Sequence, residues 1–494
     1  MISLSKVRVN NKLLIFLLFG LFFILRLYRL GYHDFWYDEV GSVGYAQYPW
    51  GNWNAPLYFI MLHFWIKLGG ISEFSLRFPS LLFSFFSIVI VFLLGKGIFN
   101  KKTAVFAAIL MGLSPFHLWY AQEARDYSMV LFFGTLSSYL FFLAIKKSNL
   151  TRWLLFTLVS LIGLYTNYFY IFLFLSQFLY VLYMVRLRLN RAYLPFLFVA
   201  LSFSFYLPRF LSKFWTVAKG FWIFKPSWEA MPIVLGNYIL GYNGTAFLYA
   251  FSFFIFIILF ISLLLSLHKK GEITQGISFC IFLFFIPICL VFLFSKLFFS
   301  VYLNRGLLLF SPYFYLIIAY AVMRLRKNLK IALSSVLLLI ICSGIYLYFH
   351  EYMYPPLEYH VGTYLKKPIR PIVSFLNNNV EEGDLIAYTN DSMTPSIDFY
   401  NKKKYSYTCY LFSPEIWDTN WQRPIRENEY YIPIHKIDGL KFKQRLWVIS
   451  TDWARNVELN KNAIAAKKEL DANFKLTFIH EFDGLWIFRY EKSG

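Results

Sequence analysis

The residues best suited to chemistry in this chain are a few acids and arginines set among aromatic side chains. Residues 31–42 read Gly-Tyr-His-Asp-Phe-Trp-Tyr-Asp-Glu-Val-Gly-Ser and put Asp38 beside Glu39. Adjacent carboxylates repel each other, and aromatic neighbours strip water from both. One of the pair should then hold its proton more tightly and could act as a general base. The structural alternative is that Asp38 caps a surface helix beginning at Glu39. Residues 114–127 read SPFHLWYAQEARDY and place Arg125 between Glu123 and Asp126. A guanidinium there offers a planar fork to a phosphate, or else closes a local ion pair with its neighbours. Arg77 and Arg305 stand at the ends of apolar runs and admit either phosphate binding or snorkelling to the membrane surface. A base beside a phosphate clamp suits transfer of a group from a lipid phosphate to a hydroxyl or amine. The acid takes the acceptor's proton and arginine stabilises the departing phosphate.

Other chemistries find less support. His33, His63 and His117 have no metal-ligand spacing, and Cys280, Cys289, Cys342 and Cys409 form no CxxC pair. Neither a zinc site nor a disulfide framework is therefore indicated. Acids gathered on one side could hold a divalent cation, although the Asp38–Glu39 adjacency serves a base equally well. No P-loop, Rossmann glycine fingerprint, GxSxG or HExxH occurs.

The elements that must position these residues are read from composition. Of 494 residues, 58% are hydrophobic, 22% aromatic and only 15% charged, and the mean hydropathy is +0.52. That excludes a soluble enzyme with a linker, a disordered chain and a collagen-like one. The net charge of +21 could suggest nucleic acid, but it is unevenly spread. Residues 350–494 hold 19 basic and 19 acidic side chains, whereas residues 1–349 hold 29 basic and 8 acidic ones. A basic surplus confined to apolar sequence follows the positive-inside rule.

Apolar runs at about 12–30, 75–99, 103–120, 127–145, 153–170, 171–187, 192–211, 246–267, 276–295, 305–323 and 331–349 give eleven expected spans. The first is read as an uncleaved transmembrane helix, since it lacks a small-x-small cleavage site. Pro195, Pro208, Pro287 and Pro312 in or beside spans fit helix kinks. With the N-terminus in the cytoplasm, Lys and Arg collect at every inside loop. Seven of the eight acids then face outward, Glu272 being the exception. Leu57–Leu68 is too short to span and is expected to lie along the outer surface. An odd count puts the C-terminal region outside a plasma or inner membrane. The expected division is residues 1–350, a transmembrane catalytic domain, and 351–494, an extracytoplasmic α/β domain beginning near Pro355–Pro356. There, strand-like runs (385–389, 446–450, 476–480, 485–490) alternate with helical ones (369–377, 457–474).

Several of these segments resemble a family. WYDEVGSVGYAQ (36–47), NAPLYFIMLHFWIKLGGISEFSLRFPSLLF (54–83), SPFHLWYAQEARDYSM (114–129) and YLNRGLLLFSPYFYLIIAY (302–320) are similar to membrane glycosyltransferases of the GT-C fold. The branch they resemble is related to protein O-mannosyltransferases and aminoarabinose transferases. The likeness runs over about residues 10–350 and is densest over 30–130. It implies a polyprenyl-phosphate sugar donor, an outward-facing site and an acceptor that is a lipid, glycan or protein. It implies Asp38 as catalytic base and Glu39 as its positioning neighbour. Arg125 with Tyr127, and less directly Arg305 and Arg77, would meet the donor phosphate. Glu123, Asp126, Asn54 and Asn167 would position sugar or acceptor. Two departures stand out. Asn54-Ala55-Pro56 replaces a basic residue with a Pro-Pro pair, and Asn167 stands where relatives often carry His. Lys67 or Lys219 could supply the missing basic contact. Without the resemblance, Asn167 and Tyr168 read as an interfacial belt.

Three other classes compete. A flippase or transporter of lipid-linked saccharides would show internal repeats and midplane polar residues, and no repeat is apparent. A polysaccharide polymerase or ligase shares the donor but does not need the early acid pair. A receptor or scaffold would need far fewer spans.

Overall fold

The computed structural model describes residues 11–51, 54–186, 188, 190–219, 223, 225–270, 275–352, 368–389, 393–401, 408–412, 429–439, 445–451, 457–482 and 485–492. Glu272, Pro355 and Pro356 lie outside the described residues, as does the side chain of Lys219. The described chain is mostly helical and divides into two compact units. The first comprises Met1–Leu30, Pro49–Phe214 and Lys225–Tyr354; the second comprises Gly31–Tyr48, Trp215–Phe224 and Pro355–Gly494. Hydropathy places 31–48 with the membrane part, but contacts group it with the C-terminal residues.

In the first unit, six helices are long and apolar enough to cross a membrane: Glu73–Ile98, Tyr127–Lys146, Ala246–Leu264, Gln275–Leu297, Asn304–Met323 and Lys327–Phe349. Two bent pairs, Lys101–Leu113 with Pro115–Ala121 (60°) and Arg191–Ser204 with Leu207–Ala218 (74°), raise the number to eight if each is one span. Proline accounts for the first break. Pro115 opens the second piece, and Ser114 before it takes the extended backbone that a following proline enforces. Three of the eleven expected spans correspond to shorter helices, Asn11–Leu27 and Leu150–Thr166 with 17 residues each and Tyr170–Val185 with 16. At about 1.5 Å per residue these fall a little short of a bilayer core. Leu57–Gly69 is a helix of 13 residues. Gly112 lets two of the helices meet closely, because a Cβ there would stand 2.6 Å from the Phe22 ring.

The second unit is built on a six-stranded sheet. Its strands are β1 (Leu385–Tyr388), β2 (Thr408–Phe412), β3 (Glu429–Pro433), β4 (Arg445–Thr451), β5 (Phe474–Phe482) and β6 (Leu485–Lys492), in the order β3-β2-β1-β4-β6-β5. The β3-β2-β1-β4 portion is parallel, and β6 and β5 add antiparallel neighbours. Alternate side chains serve opposite faces. Leu385 and Ala387 of β1 and Leu446 and Val448 of β4 pack with Ala466 and Leu470 from the helix Val457–Asn473. Ile386, Tyr388, Trp447 and Ile449 pack instead with Ile372, Val373 and Leu376 from Ile369–Asn379 and with Ile397 from Thr394–Tyr400. Burial on both faces is what parallel strands require. The four strand-like runs read from sequence fall in β1, β4, β5 and β6. The short strands β2 and β3 lie outside those runs.

Candidate functional site

The turn between the helices Pro115–Ala121 and Tyr127–Lys146 carries Gln122, Glu123, Arg125 and Asp126, and each end of it is pinned. Gln122 donates through Nε2 to the carbonyls of Arg26 (3.0 Å) and Tyr28 (2.7 Å), and its Oε1 accepts from the Tyr348 hydroxyl at 2.7 Å. Glu123 accepts from Trp119 Nε1 at 2.6 Å. Ser80 donates to the Arg125 carbonyl at 3.2 Å. Asp126 Oδ2 accepts from Asn167 Nδ2 at 2.8 Å. Asn167 also ends the helix Leu150–Thr166 and accepts from the Phe169 amide, which opens the next helix. A backbone tied at so many points holds its arginine in one place.

Arg305 reaches the same turn from far along the chain. Its guanidinium carbon lies 5.6 Å from the centre of the Tyr127 ring, and that of Arg125 lies 5.7 Å from the same centre. Both are cation–π distances. Next to Arg305, Gly306 leaves room for the Phe169 ring, which a Cβ would meet at 2.3 Å. Burial pushes the Asp126 carboxyl above the usual carboxylate range, against the pull of Arg125, the Asn167 amide and Arg305. The Asp126 carboxyl thus favours its proton although two guanidinium groups are near. The arrangement can attract a compact anion at the ends of apolar helices.

The structure thus brings Arg125, Tyr127, Asp126, Asn167 and Arg305 together. The Asn54 backbone carbonyl accepts from the Tyr206 hydroxyl at 3.0 Å. Arg77 is 1% exposed and donates to the Leu30 carbonyl at 3.1 Å, so snorkelling does not describe it. His117 is buried and pairs through Nε2 with Ser311 Oγ at 2.8 Å, a structural role. Lys67 lies 5.6 Å from the centre of the Phe64 ring on its own helix. Among the described residues no group of three or more His, Cys, Asp or Glu side chains could share a metal ion.

Arg26 was not singled out by motif or spacing. It is fully buried, donating to Ser84 Oγ (3.0 Å) and to the carbonyls of Phe22 (3.1 Å) and Gly112 (2.8 Å). The Gly112 carbonyl lies in the last turn of its helix, where acceptors lack intrahelical donors. The signal was available: a charge inside an apolar run is costly unless it is used.

Asp38 and Glu39 belong to the second unit. They occupy the first turn of the helix Tyr37–Gln47, whose N-cap is Trp36, so Asp38 is not the cap. The two neighbours differ in burial. Glu39 is fully buried while Asp38 is half-buried. The Asp38 carbonyl accepts from Ser42 Oγ at 3.1 Å, one turn on.

Residues 54–211 match the family model described as dolichyl-phosphate-mannose-protein mannosyltransferase. The chain has the fold of ArnT from Cupriavidus metallidurans. It aligns with the apo structure over 97% of its own length and 98% of that chain at 10% identity and a TM-score of 0.61. With the structure of ArnT bound to undecaprenyl phosphate the coverage is the same, the identity 11% and the TM-score 0.58. No curated protein matches the sequence.

Proposed function

We propose that this chain is an integral membrane glycosyltransferase. It moves a sugar from a polyprenyl-phosphate donor to an extracytoplasmic lipid, glycan or protein acceptor. The observation that carries the reading is the pair of arginines, 180 residues apart in sequence, set against one tyrosine beside a carboxyl that favours its proton. That chemistry suits the phosphate of a lipid-linked sugar. The match to the mannosyltransferase family and the fold shared with ArnT, one of whose structures holds undecaprenyl phosphate, support the same donor class.

In this reading Asp38 removes the proton of the acceptor hydroxyl or amine as the acceptor attacks the anomeric carbon. The bond from that carbon to the phosphate oxygen breaks, and polyprenyl phosphate leaves with the electron pair toward Arg125 and Arg305. A single displacement inverts the anomeric configuration. Glu39 positions the acceptor or sugar, as do Glu123, Asp126, Asn54 and Asn167, and Arg77 is a further contact to the donor. The chain crosses the membrane eleven times from a cytoplasmic N-terminus, counting the shorter and bent helices as spans, and residues 351–494 lie outside.

The test uses purified full-length protein with labelled polyprenyl-phosphate sugars. Asp38→Asn should lower transfer by about 10²–10⁴-fold with expression and thermal unfolding unchanged. Full activity in that variant overturns the assignment of the base. Movement of donor across vesicles without bond cleavage overturns glycosyl transfer altogether.

A further inference from the structure

Asp34 lies four residues before Asp38, in the same second unit, and makes contacts unlike those of a solvated loop acid. Its Oδ2 accepts from the backbone amides of Ile369 and Arg370, both at 2.8 Å, and its Oδ1 meets Arg370 Nε at 2.9 Å. Those amides are the first two of the helix Ile369–Asn379. The preceding residue is Pro368, which has no side-chain oxygen to offer, and the helix has no side-chain cap of its own. A carboxylate more than 300 residues away in sequence supplies it, where the helix dipole favours negative charge.

The Arg370 guanidinium then lies 5.2 Å from the centre of the Tyr400 ring, and the Tyr400 hydroxyl accepts from the Phe35 amide at 2.7 Å. The Phe35 ring stacks on Tyr400 and meets Phe399 edge-on. Asp34, Phe35, Arg370 and Tyr400 thus close a ring of contacts. It ties the segment before Tyr37 to the two helices that flank β1. The exposed half of the Arg370–Asp34 pair contributes little by itself, but the two backbone donors and the buried Phe35 make the attachment directional.

We infer that this latch makes the helices Ile369–Asn379 and Thr394–Tyr400 a positioning element for the helix that carries Asp38 and Glu39. The C-terminal residues would then act in the transfer reaction itself. The inference rests on Asp38 being the base, as proposed above. Asp34, Arg370 and Tyr400 are positioning residues, acting through the backbone of Phe35 and Trp36.

The experiment compares full-length wild type, Asp34→Ala, Tyr400→Phe and Asp38→Asn by steady-state transfer and by backbone hydrogen exchange. Asp34→Ala should exchange faster over Tyr37–Gln47, leave β1 and β4 unchanged, and lower kcat about tenfold with donor KM within twofold. Tyr400→Phe removes only the hydroxyl that accepts from Phe35, so it folds even if the first variant does not. It should move both readouts the same way by a smaller amount. Unchanged exchange or unchanged kcat, with Asp38→Asn inactive, overturns the latch and leaves the base assignment standing. Faster exchange with full activity in all three variants removes the base assignment, and with it the latch's role in transfer.

Discussion

Asp126 in the first unit and Asp384 in the second are both buried carboxyls beside arginine, yet they are displaced in opposite directions. Burial acts first on each and favours the protonated form. At Asp384 the donors win. Arg445 reaches Oδ1 and Oδ2 through Nε at 3.1 Å and Oδ2 through Nη2 at 2.9 Å. Trp447 Nε1 (2.9 Å) and the Glu381 amide (3.0 Å) complete the set, and the carboxyl is held below its usual range. Asp126 has the Asn167 amide on Oδ2, while its Oδ1 is buried without a hydrogen-bond partner among the described residues. Its arginines act mainly through space, against the Tyr127 ring, and burial prevails. Nearness of a cation does not decide the charge of a buried acid; the number of donors pointed at its oxygens does. In the proposed reading one site is closed around its own anion, and the other is the site of the donor phosphate.

The largest effect should come from opening the closed site. Arg445→Leu leaves the Asp384 charge buried with fewer donors, which costs about 3 kcal/mol or more. Hydrogen exchange in β1 and β4 of the full-length protein should quicken correspondingly. The wild-type contribution has a definite pH window. A carboxyl whose folded pKa is depressed stabilises above its unfolded value of 3.8, and the benefit fades as pH falls through the folded value. The variant should therefore lose most at neutral pH and converge with wild type in strong acid. A constant gap at all pH values would mean that packing against Trp447, not charge, is the main loss.

Next in size is the open site. Arg125→Ala and Arg305→Ala should each lower kcat/KM by about 10- to 100-fold, the worth of a charge-assisted hydrogen bond. The loss should fall largely on donor KM. Because both guanidiniums face one ring, the double variant should lose less than the product of the two. Strict additivity would show that they serve separate ligands, and the shared phosphate site would fail.

Much of this was legible in the sequence, for identifiable reasons. Arg125 and Asp126 stood out because charges are rare in apolar sequence. Most helices followed from length and hydropathy, and β1, β4, β5 and β6 from their strand-like runs. What stayed hidden is non-local. Nothing near Asn167 says that its amide meets Asp126, and nothing near Asp34 says that it caps a helix starting at Ile369. The join of residues 31–48 to the C-terminal residues was hidden too, because hydropathy sorts segments by solvent and not by partner. Nothing near Asp384 marks it either, because its donors, Arg445 and Trp447, come from a strand that neighbours β1 in the sheet but are 61 and 63 residues on in sequence.

The smallest effect tests the contrast most directly. If Asp126 holds its proton above the ordinary carboxylate range, the charge of the two arginines is not offset by it below its pKa. As pH rises through the Asp126 pKa, the carboxylate forms and cancels part of it, so donor binding weakens. A sugar joined to a polyprenyl phosphate is a phosphodiester with one charge throughout this range, so the donor adds no titration of its own. Donor KM in wild type should therefore climb with pH by a few-fold. Asp126→Asn removes the titrating group while keeping a side chain that can still pair with Asn167. Its donor KM should be low and flat across the same range. An unchanged pH profile in the variant would place the titration elsewhere. Asp126 would then resemble Asp384, a carboxylate already satisfied by its own chain, and the contrast between the two regions would collapse.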